Sequence, residues 1–167
     1  KFLCDAAPEF PPIHVIYNPV SSGLLPDETP RDPDLLLFAS APHKGLAEVY
    51  DRYAAVRATI PSLRLHIADP GYMPWDTPTP PAGVVMLGPL PQFELHSIMR
   101  RALCLFCPHT TFAETFGLVI AEANAHGTPV LCQQGLGAND EIASTPDQVL
   151  DCSDTAALVA RLTEWRM

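Results

Sequence analysis

Two glutamates, Glu114 and Glu122, lie in the segment FAETFGLVIAEANAHGTPV with seven residues between them. A carboxylate can accept hydrogen bonds from two neighbouring hydroxyls at once, and a ribose or a hexose offers such pairs. Eight positions along an α-helix come to about 800 degrees, or roughly 80 degrees beyond two full turns. The two carboxylates would therefore not share one stripe of a helix, but because Glu114 precedes the predicted helix both can face one cleft.

The segment between the two glutamates predicts an anion site. An apolar strand candidate, LCLFC, runs into a polar loop, and a helix is then predicted to begin near Phe116. Ligands of an open parallel sheet bind outside the carboxyl ends of the strands, where this loop must lie. The first N–H groups of a helix are unpaired, and Gly117 lets a diphosphate approach them closely. Two hydroxyl clamps flanking a diphosphate would suit a nucleotide sugar.

Short apolar runs alternate with longer amphipathic stretches along the whole chain, which is typical of βαβ proteins with a parallel sheet. The predicted strands are His14 to Asn18, Leu35 to Ser40, Leu63 to Ala68, Val84 to Leu87, Leu103 to Cys107, Pro129 to Cys132 and Gln148 to Asp151. The predicted helices are Gly45 to Thr59, Gln92 to Arg101, Phe116 to His126, Asn139 to Ala143 and Asp154 to Trp165. This pattern favours a three-layer α/β/α, Rossmann-like, doubly wound parallel sheet.

Length and composition limit the class of protein. The 167 residues suit one domain, 1–167, and the 47% hydrophobic and 17% charged content is that of a globular chain. A net charge of −9 disfavours nucleic acid as a partner. No run reaches the eighteen or so apolar residues of a membrane span, and the first residues do not follow the order of a signal peptide. We expect a cytoplasmic protein without an integral membrane segment.

The chain has five cysteines, an odd number, and three of them lie in apolar runs where buried thiols are common. They are Cys4, Cys104, Cys107, Cys132 and Cys152. Cys104 and Cys107 form a CxxC pair, but no second pair lies at zinc spacing and the motif does not open a helix. We expect no metal site and no redox role.

The segment from Pro108 to Val130 resembles the signature of the large retaining glycosyltransferase family of GT-B fold, which includes sucrose synthase and sucrose-phosphate synthase. The two glutamates, the Phe-Gly pair between them and the Gly-x-Pro-Val strand start fall at the family's spacing. The resemblance implies that Glu114 contacts the donor sugar and that Glu122 holds the ribose hydroxyls. It also implies that backbone amides near Phe116, Gly117 and Leu118 hold the diphosphate.

Other segments keep the family's order. HVIYNPV resembles the stretch that opens the second domain, and VVMLGPLPQFELHSIMRRA resembles the strand and helix around a base-binding loop at Gly88 to Leu90. LLLFASAPHKGLAEVY resembles the strand, basic loop and helix that carry Ser40 and Lys44. Where the family has Gly-Arg, this chain has Ser40-Ala41, so Lys44 must neutralise the leaving diphosphate as a point charge. His43 and Arg31 are candidates to replace the missing arginine.

The resemblance implies transfer of a hexosyl group from a nucleoside diphosphate sugar with retention, and Glu114 and Lys44 are the predicted catalytic residues. His109, in the loop before Glu114, is a further candidate for contact with the donor. Family members use no cofactor and no bound metal, since backbone amides and basic side chains offset the leaving-group charge. The N-terminal acceptor-binding domain is absent from this chain, so we expect the isolated domain to bind donor without transferring sugar. Any peripheral contact with a membrane would be made through that missing domain.

Two alternatives stay open from the sequence. The chain could be a non-catalytic nucleotide-sugar sensor that lost the basic clamp, or a protein-interaction module whose proline-rich loop with Tyr72, Met73 and Trp75 is the working surface. The Gly135 and Gly137 pair predicts either a tight turn or a loop at the ligand. The base, the sugar and the acceptor are not determined by the sequence.

Overall fold

Six parallel strands form one sheet in the computed structural model, which describes residues 14–72 and 75–167. The strands are β1 (Asp32–Phe38), β2 (Arg64–Ile67), β3 (Val84–Met86), β4 (Ala102–Cys107), β5 (Val130–Gln133) and β6 (Val149–Leu150). Their order across the sheet is β3-β2-β1-β4-β5-β6, and every neighbouring pair is parallel. Continuous apolar runs form these strands because both faces of such a sheet are covered.

Five α-helices and two short 3-10 turns connect the strands. The helices are α1 (Leu46–Thr59), α2 (Gln92–Arg101), α3 (Leu118–Ala125), α4 (Asn139–Ile142) and α5 (Thr155–Trp165), and the turns are Pro42–Lys44 and Pro146–Gln148. Helix α1 contacts α5, and α2 contacts α3. Because parallel crossovers are right-handed, these two pairs cover opposite faces of the sheet. The predicted α/β Rossmann-like fold with a parallel sheet is confirmed.

The core lies on both faces of β1 and β4. All six residues of β4 are buried, and so are Leu35 to Phe38 of β1. Tyr53 of α1 and Met99 of α2 are fully buried against them. Burial of a large apolar side chain contributes roughly 1.5–3 kcal/mol, so this central pair holds the frame on which the loops at its carboxyl end are built.

The predicted strand from His14 to Asn18 is wrong. Residues 14–18 have no ladder partner, and the side chains of Val15 and Ile16 are 72% and 89% exposed. The neighbours of β1 are already β2 and β4, so the middle of the sheet offers no free edge to this segment. The other predicted elements are present, and helix α3 begins two residues late because Gly117 is left-handed, with φ 79°. Cys4 and Met73 lie outside the described residues.

The sheet has a topological switch point between β1 and β4. From β1 the chain continues towards β2 and β3, whereas from β4 it continues towards β5 and β6 on the other side. Ligands of doubly wound sheets bind in the crevice at the carboxyl ends of the two strands that flank such a point. The loop after β1, which carries Lys44, and the loop after β4, which carries Glu114, both lie there.

In the described part of the chain, no helix combines the length and the apolarity that a bilayer crossing requires.

Candidate functional site

A cleft of about 540 Å³ opens at the switch point, and we call it the switch-point cleft. The loops after β1 and β4, the start of α3 and the region around the start of α2 form its walls. The predicted site residues that line it are Ser40, Lys44, Leu90, Glu114, Phe116, Gly117, Leu118 and Glu122. The sequence motifs therefore converge on one concave surface.

Lys44 and Glu114 form an ion pair in the cleft. The Lys44 Nζ lies 2.8 Å from the Glu114 Oε1, and the two side chains are 28% and 18% exposed. The same ammonium lies 4.9 Å from the centroid of the Phe112 ring. Because the pair is largely shielded from solvent, water screens the attraction between the two charges only in part. An incoming anion would therefore meet Lys44 beside a carboxylate.

Gly45 lets the two loops pack directly on each other. It closes the Pro42–Lys44 turn with φ 94°, and a Cβ at this position would lie 2.5 Å from the Cβ of His109. Real side chains do not tolerate that distance, and a left-handed φ is itself costly for them. Gly45 thus fixes how close Lys44 comes to the Glu114 loop.

Glu48, which the sequence analysis overlooked, holds the loop that leads to Glu114. Its carboxylate accepts hydrogen bonds from the Thr110 N–H at 2.8 Å and the Thr110 hydroxyl at 2.7 Å, and also from the Thr111 hydroxyl. Burial raises the pKa of Glu48, but the hydrogen bonds from Thr111 and Thr110 outweigh it and hold that pKa below its ordinary value. The anionic carboxylate is therefore part of the loop's structure.

The glycine-containing turn after β5 supports the backbone of Glu114 from the other side. The Ala138 N–H donates to the Glu114 carbonyl at 3.0 Å. A Cβ at Gly137, where φ is 56°, would lie 2.4 Å from that same carbonyl oxygen. Gly135 and Gly137 are not in the wall of the switch-point cleft. The structure shows these glycines in a tight turn that packs on the loop carrying Glu114.

The start of α3 faces the cleft with unpaired backbone donors. Gly117 is its N-cap, and its carbonyl accepts from the N–H groups of Ile120 and Ala121 at 3.0 and 3.1 Å. The N–H groups of Leu118 and Val119 precede the first intrahelical donor and have no acceptor within the helix. Together with the positive end of the helix dipole they give this wall of the cleft a local positive potential, which is chemically suited to an anion.

Glu122 lies one turn into α3, and its side chain is 20% exposed. The Gln92 Nε2 donates to its Oε1 at 3.2 Å, and the His96 Nε2 lies 3.9 Å from its Oε2. Leu90 and Leu95 line the cleft beside it. A carboxylate next to an apolar wall is suited to a pair of sugar hydroxyls whose sugar carries a flat ring that can stack on that wall.

Two of the predicted donor contacts lie outside the wall of the switch-point cleft. His109 is only 6% exposed and lies behind Glu114 in a small cavity, with its ring edge-on to Phe38 at 6.5 Å. Burial lowers the pKa of His109. Gly88 has φ 68° and turns the chain towards Leu90 without lining the cleft itself.

Of the two candidates to replace the missing arginine, only one lies in the cleft. Arg31 donates to the carbonyl of Gly127, which follows the end of α3 at the opposite edge of the sheet. The prediction for Arg31 is wrong, because Arg31 lies at the amino end of β1. The cleft lies at the carboxyl end, so the whole strand separates the two. His43 lines the cleft, and its ring lies 4.4 Å from that of Trp75 and 5.8 Å from that of Phe112.

Two further groups of residues, the buried thiols of β4 and the triplet Asp32-Pro33-Asp34, do not line the switch-point cleft. Cys104 and Cys107 are three residues apart on β4, so their side chains point to opposite faces of the sheet. Burial raises the pKa of Cys107 well above its usual range. Asp32 and Asp34 lie at the start of β1, where they pair with Arg64 and Arg166.

This constellation agrees with the sequence family of the chain. Residues 28–166 match the model of the family described as glycosyl transferases group 1, and the chain belongs to that family. Its fold is the GT-B type of Rossmann-like domain that solved glycosyltransferases share. No curated protein matches the chain in sequence.

Three solved structures illustrate the likeness of fold. TarM is 11% identical with a TM-score of 0.64, and the match covers 85% of this chain and 30% of TarM. AviGT4, described as a glycosyltransferase involved in avilamycin A biosynthesis, is 19% identical with a TM-score of 0.60, covering 91% and 52%. The pneumococcal O-GlcNAc transferase GtfA, in complex with UDP and GlcNAc, is 15% identical with a TM-score of 0.54, covering 84% and 30%. This chain thus spans between about a third and a half of these proteins.

Proposed function

We propose that this chain is the nucleotide-sugar-binding part of a retaining hexosyltransferase. The observation that carries the proposal is the convergence of Lys44, Glu114, Glu122 and the start of α3 on one cleft. Each has a chemistry that a nucleoside diphosphate sugar requires, and they come from two separate segments of the chain, the loop after β1 and the stretch from Glu114 to Glu122. Membership of the glycosyltransferase family supports the same conclusion.

The diphosphate binds at the start of α3 in this proposal. The N–H groups of Leu118 and Val119 approach it from one side, because Gly117 leaves the helix start uncovered. Lys44 supplies the positive charge from the other side and offsets the charge that develops as the sugar leaves. These donors supply the charge compensation, so we infer that the reaction proceeds without a bound metal or another cofactor.

The two glutamates divide the donor between them. Glu114 accepts hydrogen bonds from hydroxyls of the hexose, and its backbone is fixed by Gly137 and Ala138 so that the carboxylate stays beside Lys44. Glu122 accepts from the ribose hydroxyls. The base then lies towards Leu90 and Leu95, where backbone and shape around Gly88 to Leu90 would recognise it.

In this proposal a separate acceptor-binding domain supplies the acceptor side of the reaction. The chain spans between about a third and a half of its structural relatives, and the switch-point cleft is open towards solvent. We propose that an acceptor-binding domain closes over it, because closure of domains around a substrate excludes water from the reaction. The isolated chain binds donor and does not transfer sugar.

A second candidate is a nucleotide-sugar sensor without catalytic activity. This alternative is favoured by Ala41, which is buried at the place where the family has an arginine. Because that arginine is missing, Lys44 is the cation beside Glu114. Such a protein would bind the donor through the same residues and leave the bond to the sugar intact. The choice between transferase and sensor depends on chemistry after binding.

Calorimetric titration of the chain with UDP-glucose, GDP-mannose and ADP-glucose tests the proposal. We expect one of them to bind with one site per chain, and Glu122→Ala to weaken it about tenfold or more, as expected for lost hydrogen bonds to a charged group. Glu28→Ala, an exposed glutamate before β1, is the matched control and should change nothing. Absence of binding for all three donors, or equal affinity in Glu122→Ala, would refute a donor site. Donor hydrolysis by the chain joined to its acceptor domain then separates transferase from sensor.

A further inference from the structure

One face of α2 lies against the carboxylate of Glu122. Gln92 and His96 are four residues apart, so they project from the same side of this helix. The Gln92 Nε2 lies 3.2 Å from one carboxylate oxygen of Glu122, and the His96 Nε2 lies 3.9 Å from the other. Each oxygen therefore has a side-chain nitrogen of α2 facing it, and the nitrogen of Gln92 is within hydrogen-bonding distance.

His96 is placed for this contact and for little else. It is 8% exposed, and within the described part of the chain its Nε2 is a buried polar atom without a hydrogen-bond partner. Its ring packs edge-on against that of His126, with the centroids 4.7 Å apart. A buried donor left unpaired is destabilising. A small shift of the Glu122 carboxylate closes the 3.9 Å gap to a hydrogen bond.

We propose that Gln92 and His96 are positioning residues that set the plane of the Glu122 carboxylate and so give the site its preference for ribose. This inference rests on the proposed function of Glu122. A carboxylate oxygen has two lone pairs, and a donor from α2 on one of them leaves the other for a ribose hydroxyl. With both oxygens held, the carboxylate accepts from the 2′ and 3′ hydroxyls together. Without the two donors it rotates, and a second hydroxyl adds less to binding.

The test compares ribonucleotides with 2′-deoxyribonucleotides, because a general loss of structure weakens both alike. UDP, GDP and ADP and their 2′-deoxy forms are titrated by calorimetry into the wild-type chain and three variants. His96→Leu and Gln92→Leu remove the donor and keep side-chain bulk, whereas His96→Gln returns an N–H donor at a similar reach. Ser97→Ala, an exposed position on the same helix, is the control.

We expect the nucleotide that binds the wild type to be preferred over its 2′-deoxy form by about tenfold, the usual effect of a hydrogen bond to a charged group. Both Leu variants should lower that preference to about threefold or less, chiefly through weaker binding of the ribonucleotide. His96→Gln and Ser97→Ala should keep the wild-type preference. Because Gln92 is exposed, Gln92→Leu carries the test even if His96→Leu does not fold.

A wild-type preference that persists in Gln92→Leu and in a folded His96→Leu overturns the positioning role and leaves the donor site intact. If the wild type binds none of the three nucleotides, the proposed function fails first and the inference falls with it. If the wild type binds ribonucleotides and 2′-deoxyribonucleotides equally, Glu122 does not clamp the ribose and the inference is overturned.

Discussion

The ammonium of Lys44 lies 2.8 Å from the carboxylate of Glu114, although 70 positions separate the two residues in the sequence. Lys44 ends the turn after β1, and Glu114 lies within the loop after β4, so the switch point of the sheet is what brings them together. In the proposed function both must also serve the donor, one at the diphosphate and the other at the hexose. Donor binding therefore has to share or replace this ion pair.

Removal of the Lys44 charge should weaken diphosphate binding specifically. For Lys44→Met we expect the affinity for the bound nucleoside diphosphate to fall about tenfold or more, since a charged donor to phosphate is lost, while uridine or another unphosphorylated nucleoside is little affected. Lys44→Arg should keep part of the affinity. Calorimetry measures the affinities of both Lys44 variants. Arg101→Met removes an exposed cation at the far end of α2 and controls for the change in net charge. Equal losses for Lys44→Met and Arg101→Met would mean that Lys44 does not contact the phosphates.

Removal of the Glu114 charge should have the opposite effect and strengthen binding of the nucleoside diphosphate. Glu114→Gln takes away an anion that lies beside Lys44, and a unit charge at about 4 Å corresponds to about 1 kcal/mol in water. We expect the nucleoside diphosphate that binds the wild type, such as UDP, to bind a few-fold more tightly. The corresponding nucleotide sugar should gain no affinity, because its hexose loses a charged hydrogen-bond acceptor. Glu122→Gln neutralises the other carboxylate and should weaken the binding of both ligands. If Glu114→Gln weakens the nucleoside diphosphate, the carboxylate contributes to that site and does not oppose it.

The sequence predicted the fold and the cleft well because their signals are local. A continuous apolar run such as β4 requires cover on both faces, and a glycine before a helix start marks where a backbone approaches closely. The strand predicted from His14 to Asn18 is wrong because a short apolar run does not say whether a sheet edge is free to receive it. Arg31 was assigned to the cleft by its charge, whereas the direction of β1 places it at the opposite edge.

Contacts between distant segments left no signal in the sequence. Glu48 is 62 positions from Thr110, and in the sequence it is one more acid in the first turn of a helix, as is common near the positive end of the dipole. Gln92 and His96 are similar cases, because only the packing of α2 on α3 brings them to Glu122. His126, which follows α3, is a further case: a histidine at a helix end would ordinarily be an exposed cation, but this one is 3% exposed and burial lowers its pKa.

The hydrogen bonds of Glu48 predict a pH-dependent part of the stability. Glu48→Gln removes the charge and one of the two acceptor oxygens, Glu48→Ala removes both oxygens, and for either variant we expect the free energy of unfolding near pH 7 to fall by about 1–3 kcal/mol. Because the folded-state pKa of Glu48 is below its ordinary value, its contribution is complete above the unfolded-state pKa and is lost as the pH falls through the folded-state pKa. The difference between wild type and Glu48→Gln in urea unfolding should thus shrink on going from pH 7 towards pH 3. A difference that is constant over this range would show that the charge of Glu48 is not involved.

A matched pair of glycine substitutions separates backbone strain from close approach in the turn that supports Glu114. Gly135 and Gly137 both have a positive φ, 72° and 56°, but a Cβ at Gly135 meets nothing within 4 Å, whereas one at Gly137 lies 2.4 Å from the Glu114 carbonyl oxygen. Gly135→Ala should cost only the left-handed strain of about 1–2 kcal/mol.

Gly137→Ala carries the same strain and must also push Glu114 aside. We expect it to be less stable than Gly135→Ala by a further 1 kcal/mol or more, about the cost of forcing one extra methyl group into a packed site. It should also weaken binding of the sugar donor more than binding of the nucleoside diphosphate, since Glu114 faces the hexose in the proposed function. Urea unfolding and calorimetry on the two variants measure these differences. If both variants lose the same stability and bind the donor alike, the turn does not position Glu114.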